Sequence, residues 1–172
     1  MIETAMMAML LAFPNPLAGL HLHHESDFHR SHQVVNGWRI EAIQDRFSGR
    51  TACRIRNHNV TFDRGVVTFH FPSSVDTANA IFRIDGGPPQ SVGSVAVEVA
   101  GLGARLQGDN STNPSSGLVP LPSRLLSTAN TVSIEPNYKR QHRDFSVHGL
   151  SGALDVARQK GCDLGEHEQR GA

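Results

Sequence analysis

Several things are scarce or missing in this chain, and each absence removes a class of function. Charge of one sign is missing. Sixteen Lys and Arg meet sixteen Asp and Glu, interleaved, so the formal net charge is zero. A duplex- or RNA-binding surface normally carries a basic excess or stripe, and the sequence predicts no nucleic-acid partner. No run of like charge offers an electrostatic membrane anchor. No apolar run is long enough to cross a bilayer as a helix, so no integral membrane segment is expected. Cysteine is almost absent: Cys53 and Cys162 stand alone. Their distance excludes a Cys-x-x-Cys redox motif, and two cysteines cannot build a zinc site without histidine. Carboxylate pairs at catalytic spacing and fixed-period repeats are also missing.

Aromatic residues make up 6% of the chain, with one Trp and one Tyr, while Gly and Pro are plentiful. That composition suits short strands joined by many turns better than long helices. At 172 residues the length predicts one domain.

The apolar run Ala5-Met6-Met7-Ala8-Met9-Leu10-Leu11-Ala12-Phe13 has the length of a signal-peptide core. Pro16-Leu17-Ala18-Gly19 offers a small-residue cleavage site, but Glu3 stands where a basic n-region is expected. Residues 1–19 are therefore a signal peptide or a short apolar helix. Residues 20–37 hold half of the ten histidines and no sustained apolar period, which predicts a flexible His-rich arm. The folded part is expected over residues 38–162, and residues 163–172 as a polar, disordered tail.

Within the folded part, Trp38-Arg39-Ile40-Glu41-Ala42-Ile43 alternates apolar and polar, as a half-buried strand does. Thr51-Ala52-Cys53-Arg54-Ile55-Arg56 alternates again, with Cys53 and Ile55 on one face and Arg54 and Arg56 on the other. Val60–Phe62 and Val66–Phe71 flank Asp63-Arg64-Gly65, a hairpin signal. Further strands are predicted at Ala80–Asp85, Ser94–Val99, Thr131–Glu135 and Phe145–Val147. Residues 101–117 read as a long polar loop. Pro122 predicts the entry of a short helix over 122–127. Leu150, Ala153, Leu154 and Ala157 form one apolar stripe of a final helix, with Gly161 where a left-handed cap belongs. Together these predict a mainly β (α+β) fold: an antiparallel β-sandwich or open barrel of short strands with a C-terminal helix packed on it.

Four constellations could carry chemistry. His21, His23, His24, His29 and His32 are imidazoles that suit Zn, Cu or Ni. Their spacing matches no closed structural-zinc pattern, so the plainer reading is a linker with adventitious metal affinity. Gly149-Leu150-Ser151-Gly152-Ala153 follows a strand and opens a helix, as a hydrolase nucleophile elbow does. Only about twenty residues follow Ser151, too few for the later acid and histidine of that fold. Gly101-Leu102-Gly103-Ala104-Arg105-Leu106 starts like a dinucleotide loop, but Leu106 occupies the third glycine position and no helix follows. Arg140, His142, Arg143 and Asp144 could bind an anion through guanidinium forks, or form a solvated hairpin.

If Cys53 and Cys162 bond in an oxidising compartment, the chain between them is one closed loop. A bridge over about 100 residues stabilises a fold by roughly 4–5 kcal/mol.

Three segments occur in a telling order: Phe82-Arg83-Ile84-Asp85-Gly86-Gly87, then Leu121 to Ile134, then Phe145-Ser146-Val147-His148-Gly149-Leu150-Ser151-Gly152-Ala153-Leu154. The layout resembles the invasion-associated locus B family of exported proteobacterial proteins. The resemblance implies a signal peptide, a β-rich domain and a non-enzymatic role in the periplasm or outside the cell. It carries over no catalytic residue. The leading expectation is thus an exported, periplasmic or secreted, disulfide-stapled domain with no cofactor, binding or supporting a protein or envelope component. The alternatives are a periplasmic transition-metal-binding protein that uses the five histidines, and a small hydrolase using Ser151.

Overall fold

The computed structural model describes residues 28–102, 117–136 and 142–165. Its first sheet is a six-stranded antiparallel array in the order β1 (Phe28–Val35), β2 (Trp38–Asp45), β3 (Thr51–Asn57), β4 (Val60–Asp63), β5 (Val66–His70) and β8 (Leu118–Pro122). The second has the order β10 (Arg143–Ser146), β9 (Thr131–Glu135), β6 (Ile81–Ile84) and β7 (Gln90–Ser91). Both sheets are open, so the fold is a mainly antiparallel β-sandwich and not a closed barrel. The helix α2 (Leu150–Gln159) packs against it, as the apolar stripe predicts.

Alternation explains the core. Register aligns Ile40 of β2 with Ile55 of β3, Ile55 with Phe62 of β4, Phe62 with Val67 of β5, and Val67 with Leu121 of β8. All five are buried. From the second sheet come Phe82, Val132, Ile134 and Phe145. The ring of Phe145 meets Phe69 edge-on at 5.1 Å and Phe71 at 5.3 Å, which ties the two sheets together. On α2, Leu150, Ala153, Leu154 and Ala157 are buried. The helix ends as expected: Gly161 takes φ +75°, and the N–H of Cys162 donates to the Ala157 carbonyl at 3.1 Å.

Four expectations need correction. Residues 28–35, expected in a flexible arm, form a strand instead and pair with β2 along their whole length. Ser94–Val99 is not a strand: a 3₁₀ turn at Val92–Val95 leads into the helix α1 (Ala96–Gly101). Val95 and Val99 are buried there while Val97 is 88% exposed, a helical spacing that also satisfies alternation. Leu118–Pro122 is a strand, and the expected helix shrinks to a 3₁₀ turn at Ser123–Leu126. Finally, Leu164 is buried, so the chain stays packed beyond Cys162.

Candidate interaction surface

The first three strands present their arginines to solvent, and the register gathers them. The Asn36-Gly37 turn, with both residues at positive φ, makes β1 and β2 a two-residue hairpin. On the solvent face, Val34 lies opposite Arg39, and Arg39 opposite Arg56. In the next row His32 lies opposite Glu41, and Glu41 opposite Arg54. Arg30 follows, opposite Ile43. Beyond the face, Arg46 and Arg50 flank the β2–β3 turn, whose tip carries Phe47 at 98% exposure.

Few acids balance this charge. Residues 28–57 contain six arginines and two carboxylates, Glu41 and Asp45, which leaves a formal +4 in a chain whose total is zero. Glu41 serves two guanidiniums: Arg56 Nη2 at 3.1 Å and Arg39 Nε at 3.5 Å. Asp45 is engaged in its own turn. It accepts the Ser48 hydroxyl at 2.6 Å and the Phe47 N–H at 2.9 Å. Those bonds, with Arg50 nearby, hold its carboxyl below the usual carboxylate range. Among the described residues no ion pair reaches Arg30 or Arg54. Like charges directly opposite, as Arg39 and Arg56 are, disfavour a strand pair. The shared Glu41 offsets this only in part. A shallow hollow of about 260 Å³ lies between Arg30, His32, Arg39 and Glu41.

Further along the same face, the Thr61 hydroxyl and His70 Nε2 are hydrogen-bonded at 2.9 Å. Burial holds the His70 imidazole below its ordinary value. Its charged form is therefore disfavoured beside the arginine field.

The expected sites fall as follows. Cys53 and Cys162 are bonded, with Cα atoms 5.6 Å apart across a sequence separation of 109. Cys53 and Ile55 point inward and Arg54 and Arg56 outward, as alternation predicts, so the staple and the arginines occupy opposite faces of β3. His29 and His32 lie three residues apart on β1, which sends their side chains to opposite faces. His21, His23 and His24 lie outside the described residues. Among the described residues no group of three or more His, Cys, Asp or Glu could hold a metal ion.

Ser151 lines a larger cleft of about 560 Å³ between α1, the Ser123–Leu126 turn and α2. No histidine lines it. Arg124 binds Glu98 through both guanidinium and carboxylate ends, and this pair holds the Glu98 carboxyl below its ordinary value. Arg158 reaches Asp155 on the opposite wall. The two carboxylates of the walls are thus each ion-paired with an arginine.

In the expected Arg140–Asp144 patch, Arg143 lies over the Phe145 ring at 5.0 Å, and Asp144 accepts the Ser133 hydroxyl at 2.6 Å. Arg140, and residues 103–106 of the glycine loop, lie outside the described residues. Among the described residues no helix is long and apolar enough to cross a membrane. Comparisons with protein-family models, curated proteins and solved structures found no match.

Proposed function

We propose that this protein is an exported binding domain, periplasmic or secreted, that engages an anionic partner through the solvent face of β1, β2 and β3. One observation carries the binding reading: residues 28–57, which form β1, β2, β3 and their turns, hold six arginines against two carboxylates in an otherwise balanced chain, and four of those arginines lie in the strands. Guanidinium is the group suited to carboxylate and phosphate recognition, because its planar fork offers paired donors. Export is supported by the Cys53–Cys162 bond, which persists in oxidising compartments. The apolar run at residues 5–13 and the resemblance to the invasion-associated locus B family support it too.

Cation-exchange chromatography at about pH 8, above the sequence pI of about 7.2, tests the reading. The protein is expected to be retained despite its net charge. Arg30→Glu combined with Arg54→Glu should elute at clearly lower salt than Arg83→Glu combined with Arg158→Glu, which changes net charge equally. Equal elution of the two double variants would mean that no local field exists.

A further inference from the structure

The edge of the sandwich formed by β1 is built unlike the other three. At the far edge of the same sheet, β8 carries Pro120 and Pro122. The N–H of Ser123 donates to the Gly65 carbonyl at 2.7 Å, toward β5. Alternation therefore turns the missing N–H positions of both prolines outward. In the second sheet the edge strands are short: β7 has two residues and β10 four. Prolines and short length are the usual ways of blunting an edge. β1 has eight residues and no proline, and no described strand pairs with its outer side. It is also exposed on both faces, at His29 and Gln33 on one and at Arg30, His32 and Val34 on the other.

We propose that β1 accepts an extended acidic polypeptide segment as a seventh strand, with carboxylates at alternate positions beside Arg30 and His32. This rests on the anionic-partner reading above and names the partner's chemistry. An added strand lies about 4.8 Å from β1, and its side chains alternate with the same period. A carboxylate beside Arg30 meets a guanidinium that Glu41 does not serve. The partner's backbone meets the unpaired N–H and C=O groups of the edge, which a nucleic acid, a glycan or a lipid surface cannot pair in register. Charge also selects the partner. A second copy of this chain paired in antiparallel register would set the Arg30 side chains of the two edges on one face, which like-charge repulsion opposes.

The test uses the full chain and a labelled short peptide of alternating Glu and Thr, followed by fluorescence anisotropy at low salt. Two further peptides carry N-methyl groups on one or the other alternate set of residues, which removes backbone donors and keeps the charge. Methylation of one set is expected to weaken binding by about tenfold or more, and of the other set by less than about twofold. Arg30→Glu should weaken binding of the parent peptide by about tenfold, and added salt should weaken it further. If both methylated peptides bind like the parent, strand addition is wrong and the anionic-partner reading survives. If no acidic peptide binds while column retention persists, the partner is not an acidic polypeptide. Self-association that strengthens with salt, without peptide binding, would give the edge to a second copy and overturn the proposal. Loss of both peptide binding and column retention would remove the two readings together.

Discussion

At Gly149 the backbone takes φ +76°, and a methyl group there would collide with Cβ of Asn36 in the β1–β2 turn. Both facts disfavour any side chain: the conformation is rare for L-residues, and Asn36 cannot retreat without opening the hairpin. Gly152, one turn into α2, differs. A methyl group there would rest 3.7 Å from Asn36 Nδ2, an ordinary contact, in a helix that favours Ala over Gly. Gly149→Ala is therefore expected to cost about 2 kcal/mol or more in urea unfolding. Gly152→Ala should be neutral or stabilising by up to about 1 kcal/mol. Similar losses at the two sites would mean that the Asn36 contact is not what Gly149 protects. The sequence shows a glycine-rich strand-to-helix turn here, and the structure supplies the neighbour that requires it.

The element that most sets this molecule apart is the one whose sequence says least. β1 buries little of either face, with only Val35 packed on the core, so it has no apolar period to read, and residues 28–35 pass for an arm. Its one local signal is Asn36-Gly37, the dipeptide that favours a two-residue hairpin. By contrast β2 and β3 each bury one apolar set, and alternation reveals them, while β5 is buried on both faces and shows instead as an apolar run after the Asp63-Arg64-Gly65 turn. β8 hides behind Pro120 and Pro122, which argue against a strand unless it lies at an edge. Val95, Val97 and Val99 alternate as in a strand, while Val95 and Val99 alone also fit one helical face, and the exposure of Val97 agrees with the helix. The arginine face is invisible in the total charge of zero; a sum over residues 28–57 alone shows the excess of +4, and register then brings the bases side by side. A strand held chiefly by its ladder, with Val35 alone packed on the core, should also open more readily than the rest. In native-state hydrogen exchange, the amides of β1 should be at least about tenfold less protected than those of β5, which lies between β4 and β8. Equal protection would mean that β1 opens only with the whole fold.

Across the whole molecule, β3 separates two kinds of work. Its inward side carries Ile55 into the core and Cys53 into the bond with Cys162, just past α2. Its outward side carries Arg54 and Arg56 into the charged field. The bond closes a loop with a sequence separation of 109 that runs from β3 through the whole second sheet to the end of α2 and leaves β1 and β2 outside it. A loop of that size stabilises chiefly by restricting the unfolded chain, by roughly 4–5 kcal/mol. The folded chain meanwhile holds β3 through its ladder with β2 and β4, and α2 through its apolar stripe and the Trp38 indole N–H donated to the His148 carbonyl at 3.0 Å. The staple and the binding face are therefore separable. Cys53→Ser combined with Cys162→Ser should lower the unfolding free energy by about 4 kcal/mol in denaturant titration. At temperatures where the variant still folds, its retention on the cation exchanger should be unchanged, because no arginine of the face depends on the bond for its position. A variant that folds yet loses retention would show that the bond holds the arginine ladder in register, and would join the two faces of β3 into one device.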